Sequence, residues 1–540
     1  MTSLPWIALN APGYARFRSA LSTPETIQRS LLRRYLRDNA GAAFGRTYRF
    51  ADIRTPEAYQ SRVPLSSWED VAPWVDRIAA GEPAVLTRSP VRTLEPTSGS
   101  SSAAKRIPYT AEMQREIRRA VAPWIFDLYK DRPRLARGCA YWSITPVALD
   151  EDDGSSAVRV GFEEDAEYLG GFWRRLVDST LAVPGSVRHI RDMDSFRYVT
   201  LLFLLRRSDL SLISAWHPSF LTLLMGALPE SWDRLIADIE RGTLTPPYPL
   251  SSAISTPLAS RLSPLPRRAA ELRRVRPDEP VRIWPRLGLL SCWGDAHAAL
   301  HLPELRRTFP GVEIQPKGLL ATEAFVTIPF AGKTPLAIRS HFFEFLPEDG
   351  ERPRFVHELE PGGVYSVVVT TGGGLYRYRL GDRVEVTGFA GRTPSLRFLG
   401  REGHTSDLRG EKLHEGFVAG VLERVFRRLA IVPRFALLAP DVPDDPAAAP
   451  GYVLYLEVGG QPPTSLARIL EEELEANPHY RAAVTLGQLT RAKTFLIEKE
   501  GFSLYLQLCR QQGQRLGDVK PMALSPWTGW RTIFPGRLPP

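Results

Sequence analysis

The chain has 540 residues but few that could staple or anchor it. Its three cysteines, Cys139, Cys292 and Cys509, are far apart and form no CxxC pair. That excludes a disulfide scaffold and a cysteine-based metal knuckle, and it fits a reducing compartment. Long apolar runs are also missing. The most apolar stretch is VTLLFLL at 199–205, far short of the roughly 20 residues a membrane span needs. It reads as the core of a buried strand or helix. The start, MTSLPWIALNAPGYARF, lacks the basic residues and apolar run of a signal peptide. The expectation is a cytoplasmic protein without membrane contact. There is no internal repeat, and no GxSxG to signal a hydrolase nucleophile elbow.

What is present is globular. The hydrophobic fraction is 43% and the charged fraction 24%, ordinary for packed domains. The length suggests about two to four of them. The net charge of +9 comes from arginines spread along the whole chain. The densest cluster, RRAAELRR at 267–274, has helical spacing and reads as a solvated helix face rather than a nucleic-acid patch. No nucleic-acid partner is expected. The surplus charge would attract small anions such as nucleotides.

A helix is predicted to open at Ser22-Thr23-Pro24-Glu25, with Leu31, Leu32, Tyr35 and Leu36 on one face. A second is predicted from Ser66 or Ser67, and EMQREIRRAVAPWIFDLY forms a third. VYSVVVTT, GGG and LYRYRLGDRVEV read as a β-hairpin with a glycine turn. EGFVAGVLERVFRRL reads as a helix, YVLYLEV and SLYLQL as strands, and APDVPDDPAAAPG as a loop. The Pro, Ser and Thr-rich stretch 243–266 is either a linker or an excursion within one domain.

Several motifs fail on inspection. AGKT at 331–334 resembles the end of a P-loop, but Thr327 stands where that motif needs glycine. Gly372-Gly373-Gly374 lacks the spacing of a dinucleotide fingerprint and reads as a hairpin turn. His297 and His301 are four apart, as zinc ligands on a helix can be, but HAALH lacks the catalytic Glu of a zinc protease. They read as ordinary helix histidines.

TSGSSSAAK, at 97–105, places five hydroxyls in six positions and closes on Lys105. It is either a surface linker or a loop that surrounds a polyphosphate with hydroxyls, backbone N–H groups and one ammonium. The β-like VRTLEP before it and IPYT after it favour the second reading. The stretch resembles the phosphate loop of the acyl-adenylate-forming superfamily, usually TSGTTGxPK. Three further segments resemble superfamily motifs in the same order. They are KGLLATEAF for the Thr-Glu motif, LYRYRLGD for the Tyr-Arg-x-Gly-Asp motif, and GREGHTSDLRGEKLHE for the hinge. VPLSSWEDVAPWVDRIAAGE, PTSGSSSAAKRIPYT, HFFEF and ELEPGGVYSVVVTTGGGLYRYRLGD together resemble the Gretchen Hagen 3 family of acyl acid–amido synthetases, over nearly the whole chain. The Arg, Ala and Pro bias suggests a bacterial member.

The resemblance implies an α/β fold of the acyl-adenylate-forming type. A large N-terminal domain (1–400), with β-sheets flanked by helices and a barrel-like subdomain, would be followed by a small mobile α/β domain (401–540). It implies that a small carboxylic acid is activated by ATP and Mg2+ as an acyl-adenylate, then passed to an amine, usually an amino acid. Ser98, Gly99, Ser100, Ser101 and Lys105 would hold the β- and γ-phosphates, and Thr322 the α-phosphate. Glu323 would hold Mg2+, and Asp382 both ribose hydroxyls. Arg401 would reach the ribose or α-phosphate, or else serve as a structural ion pair. Lys520, in GDVKPM, is the candidate for a lysine that swings into the site. Trp142, Trp216 and Trp293 are candidates for the acid pocket, or simple core.

Two departures bear on the loop and the base site. Ser102 replaces a loop glycine, which restricts the backbone, and Ala104 replaces a proline. Leu319 and Leu320 stand where relatives carry an adenine-stacking aromatic. The rival readings are an acid:CoA ligase and a nucleotide-binding homologue without turnover. The sequence is silent on oligomeric state.

Overall fold

Caps and prolines set the N-terminal helices where the sequence marks them. Pro24 occupies the first turn of Pro24–Asn39, where its missing N–H costs nothing, and Leu31, Leu32, Tyr35 and Leu36 are buried. The Asp70 carboxylate accepts from Ser67 N–H (2.8 Å) and holds the start of Trp68–Ala79. Thr110 Oγ accepts from Met113 N–H at the head of Ala111–Lys130. A further helix, Leu4–Ala20, precedes them. The computed structural model describes residues 4–97, 105–143, 156–160, 181–348, 350, 352–402, 405–443, 445, 448–511 and 521–539.

Strands β1 (Val91–Pro96) and β2 (Arg106–Thr110) form an antiparallel hairpin. Next in the chain are β3 (Cys139–Trp142), β4 (Leu210–Ser214), β5 (Leu289–Cys292) and β6 (Glu313–Pro316). They pair in that order, all parallel. Such sheets are covered on both faces; β3, β4 and β5 are largely buried, while the edge strand β6 is not. VTLLFLL lies in the helix Met193–Leu205, buried almost all round, which is why its periodicity left helix and strand unresolved.

An antiparallel five-stranded sheet follows. It comprises β7 (Phe342–Pro347), β8 (Arg354–Phe355), β9 (Val364–Thr370), β10 (Tyr378–Ala390) and β11 (Thr393–Arg401), in the order β11-β10-β9-β7-β8. The expected glycine hairpin is β9–β10, with Tyr378 opposite Val369. The glycines also permit a close approach. A Cβ on Gly373 would lie 2.4 Å from Pro108 O. Two short strands, β12 (Thr405–Ser406) and β13 (Leu413–His414), lead into the helix Glu415–Arg428. A last mixed sheet holds β14 (Pro433–Asp441), β15 (Gly451–Val458), β16 (Lys493–Ile497) and β17 (Gly536–Arg537).

Two local expectations are corrected and one open alternative is resolved. SLYLQL is not a strand but part of the helix Gly501–Gln511. The Glu457 carboxylate accepts from Gly501 N–H (2.7 Å) at its start, and Tyr505 and Cys509, one helical turn apart, are its buried contacts. The RRAAELRR helix, Pro266–Leu272, is not simply a solvated face. Arg268 is buried and donates to Leu205 O and Ile283 O. Stretch 243–266 is an excursion rather than a linker, since its Leu258 is fully buried in the core beside the parallel sheet.

Candidate active site

The loop TSGSSSAAK connects β1 to β2. Its neck is closed by Thr97 N–H donating to Lys105 O (2.8 Å). Ser98, Gly99, Ser100 and Ser101 lie outside the described residues, as does Lys520. Lys105 is half-buried at the base of the loop. Its Nζ is 3.4 Å from the hydroxyl of Tyr378, 273 positions later in the chain. The first and third motifs therefore meet in space.

The second motif meets them too. Thr322 and Glu323 sit in a turn between the bridge partners Leu320 and Phe325. Tyr109, on β2, donates its hydroxyl proton to Thr322 O (2.5 Å) and ties that turn to the loop hairpin. Glu323 is a carboxylate only 4% exposed. Its charge is felt by two neighbours. Burial pushes the Tyr378 hydroxyl well above its ordinary range, with Glu323 adding to it. Asp382 above all, with a smaller contribution from Glu323, holds the Arg401 guanidinium firmly protonated.

Tyr378 and Asp382 are positioned by a backbone anchored on both sides. Arg377 adopts φ +49° and is buried against Glu344, with Nη1 donating to Gln60 O and Val63 O. Gly381 at φ +75° takes up a register shift between Arg379 and Arg383. Asp382 stands directly across the β10–β11 ladder from Arg401, whose Nε donates to its carboxylate at 3.1 Å. The ion-pair alternative for Arg401 is therefore realised, and the pair lies within the motif cluster. The arrangement gathers an ammonium, a guanidinium and two buried carboxylates, a set suited to holding a magnesium nucleotide.

At the carboxyl end of the parallel sheet, where open α/β sheets bind their ligands, stands a group of indoles and one ammonium. Trp142 is the last residue of β3, and Trp216, Trp293 and Lys317 stand just past β4, β5 and β6. The Trp216 and Trp293 rings are 5.6 Å apart. Lys317, only 5% exposed, holds its ammonium 4.4 Å from the Trp216 ring and 6.0 Å from that of Trp124. The sequence reading singled out three tryptophans here but missed Lys317. Its signal was its place at the head of KGLLATEAF, next to the Thr-Glu motif.

Comparison with known proteins is consistent along the chain. The GH3 family N-terminal domain matches residues 13–314, the central domain 334–401 and the C-terminal domain 418–528. Indole-3-acetic acid-amido synthetase GH3.4 of Arabidopsis thaliana is 24% identical over 462 residues, 81% of this chain and 76% of that protein. Probable indole-3-acetic acid-amido synthetase GH3.12 of Oryza sativa subsp. japonica is 26% identical over 433 residues, 69% and 68% of the two chains. Among solved structures, AtGH3.15 acyl acid amido synthetase in complex with 2,4-DB superposes with a TM-score of 0.85 at 20% identity, covering 98% of this chain and 97% of that one. A 2-hydroxyisobutyryl-CoA ligase in the postadenylation state superposes with a TM-score of 0.51 at 12% identity, over 90% and 91%. Matches to all three parts of one family, in order and over most of the length, establish that the chain belongs to the GH3 family.

Proposed function

We propose that this chain is an ATP-dependent ligase that activates a carboxylic acid as its acyl-adenylate and transfers the acyl group to an amine, an amino acid, to form an amide. The observation that carries this reading is the meeting of Lys105, Thr322-Glu323, Tyr378 and the Asp382–Arg401 pair. The curated relatives are indole-3-acetic acid-amido synthetases, which supports the acid and amine classes.

The chemistry brings two anions together, so cations and oriented donors must offset their repulsion. The acid is placed at the carboxyl end of the parallel sheet, where Lys317 draws in its carboxylate and the indoles pack its apolar part. Asp382 accepts from the ribose hydroxyls, its two oxygens matching two donors. Arg401 holds that carboxylate in place. Lys105 meets the phosphates at the base of the loop, with Ser98, Gly99, Ser100 and Ser101 contributing above it and Thr322 contacting the α-phosphate. Bond formation at the α-phosphorus expels pyrophosphate, and Lys105 stabilises the charge that develops on the bridging oxygen. Glu323 is the buried oxygen donor that fits Mg2+, a hard ion. When bound, that ion would neutralise phosphate charge. Lys520 is proposed to join one half-reaction as the 401–540 domain turns about 400–410. The Arg, Ala and Pro bias supports a bacterial source, and sparse cysteine a cytoplasmic one.

ATP–pyrophosphate exchange across a panel of acids tests the reading. Acid-dependent exchange followed by amide formation with an amino acid is expected. Exchange followed by transfer only to CoA would identify a thiol ligase, and no exchange with any acid a homologue without turnover. Lys317→Met should raise KM for the acid at least about tenfold, the loss of one charge-assisted contact, while KM for ATP stays near the parent value. An unchanged KM for the acid would remove Lys317 from the pocket.

A further inference from the structure

His297 and His301 lie in the 3-10 segment Ala296–His301, just past β5. The fold adds a third imidazole that no sequence spacing announces. His217 stands just past β4, as N-cap of the helix Pro218–Gly226. The rings of His217 and His301 are 4.9 Å apart, and those of His297 and His301 5.1 Å. One ligand atom from each of the three lies within 4.8 Å of the others, and all three residues are at least nine-tenths buried.

Two of the rings are already oriented by oxygen partners, as metal-ligating histidines are. His297 Nε2 faces Ala436 O on β14 at 3.4 Å, while its Nδ1 is buried with no hydrogen-bond partner. Such an orphan costs about 1–3 kcal/mol unless something satisfies it. His217 Nδ1 accepts from the Ser219 N–H (3.3 Å) and lies 2.6 Å from Ser219 Oγ.

From this we infer that His217, His297 and His301 form a binding site for a divalent transition cation of the zinc type, separate from the magnesium nucleotide. Nitrogen-only ligands select zinc, cobalt or nickel over magnesium. Tetrahedral zinc with bonds of about 2.0–2.1 Å puts ligand nitrogens about 3.4 Å apart. The rings would therefore close in by no more than about 1.4 Å from the 4.8 Å limit. Three imidazoles leave one tetrahedral position for a non-protein ligand. The ion would tie the end of β4 to the segment after β5. It would thereby fix Trp216, the neighbour of His217, against Trp293. The Ala436 carbonyl and the Phe502 ring, 5.9 Å from His301, extend the cluster to the C-terminal sheet and its helix.

The test uses the full-length, tag-free chain. Co2+ titration should give visible ligand-field bands that saturate at about one ion per chain and vanish when Zn2+ is added. X-ray absorption of the zinc-loaded chain should show about three imidazole nitrogens at roughly 2.0 Å. His301→Gln, checked for folding by circular dichroism, should lose the cobalt bands. Absence of bands from the parent chain would overturn the inference. So would a zinc shell of sulfur or of oxygen alone, or bands that persist in the folded variant. These readouts do not depend on turnover, so the site stands or falls apart from the ligase reading.

Discussion

Asp382→Asn is the sharpest test of the nucleotide site, because it removes a charge while keeping the shape. Asp382 is 3% exposed, and Arg401 donates to it at 3.1 Å. Two charge-assisted bonds to ribose hydroxyls are worth about 1.5–3 kcal/mol each. Asparagine keeps one acceptor oxygen, so about one such bond is lost. At tenfold per 1.4 kcal/mol, ATP should bind about 10–100-fold more weakly. The variant also strips Arg401 of its partner. Breaking a fully buried pair costs about 3–5 kcal/mol. The Arg401 side chain is 30% exposed, and solvent screening reduces that cost to about 1–2 kcal/mol. Calorimetric titration with ATP and with 2′-deoxy-ATP, alongside thermal melting, separates the two effects. The parent should prefer ATP, and Asp382→Asn should erase most of that preference. Arg401→Gln breaks the same pair from its other end and should lose similar stability but less of the preference. A folded Asp382→Asn that binds ATP within about twofold of the parent (less than 0.5 kcal/mol) would show that the carboxylate only pins β10 to β11.

Lys105→Ala should slow adenylation by about 10²–10³ with little change in melting temperature, as expected for a donor aimed at developing charge. Lys105→Arg should restore only part of that, since a guanidinium fork does not replace a point ammonium. Near-normal pyrophosphate release by Lys105→Ala would make the loop a linker. Gly403→Pro, within the proposed hinge, should slow amide formation more than adenylate formation in single-turnover assays, and equal losses would argue against a moving C-terminal domain. Arg377→Met leaves the buried Glu344 without its cation and should cost about 3–5 kcal/mol in chemical denaturation. A loss below about 1 kcal/mol would show that the Gln60 and Val63 carbonyls never depended on it.

Local chemistry was legible wherever it is written locally. Ser67 and Pro24 mark helix starts because a cap needs only its own next few residues. The β9–β10 hairpin was legible for the same reason. The phosphate-loop, Thr-Glu and Tyr-Arg-x-Gly-Asp motifs were readable as short strings whose spacing is part of their chemistry. SLYLQL was misread because alternation is only a local preference, and a helix start held by Glu457, 44 residues away in the chain, outweighed it. The buried role of Arg268 depends on carbonyls at Leu205 and Ile283, which nothing in its own helix announces.

By itself, then, the sequence pointed to the family and to most element types and named the candidate site residues, because each is written within a few neighbouring positions. Only the tertiary structure decided which of them meet. It set Lys105 against Tyr378 and paired Arg401 with Asp382. It also raised Lys317 over Trp216, and brought His217 to His297 and His301 from 80 and 84 positions away. Parallel strands bring the ends of distant segments side by side. The residue just past each strand therefore acquires neighbours that no stretch of sequence contains.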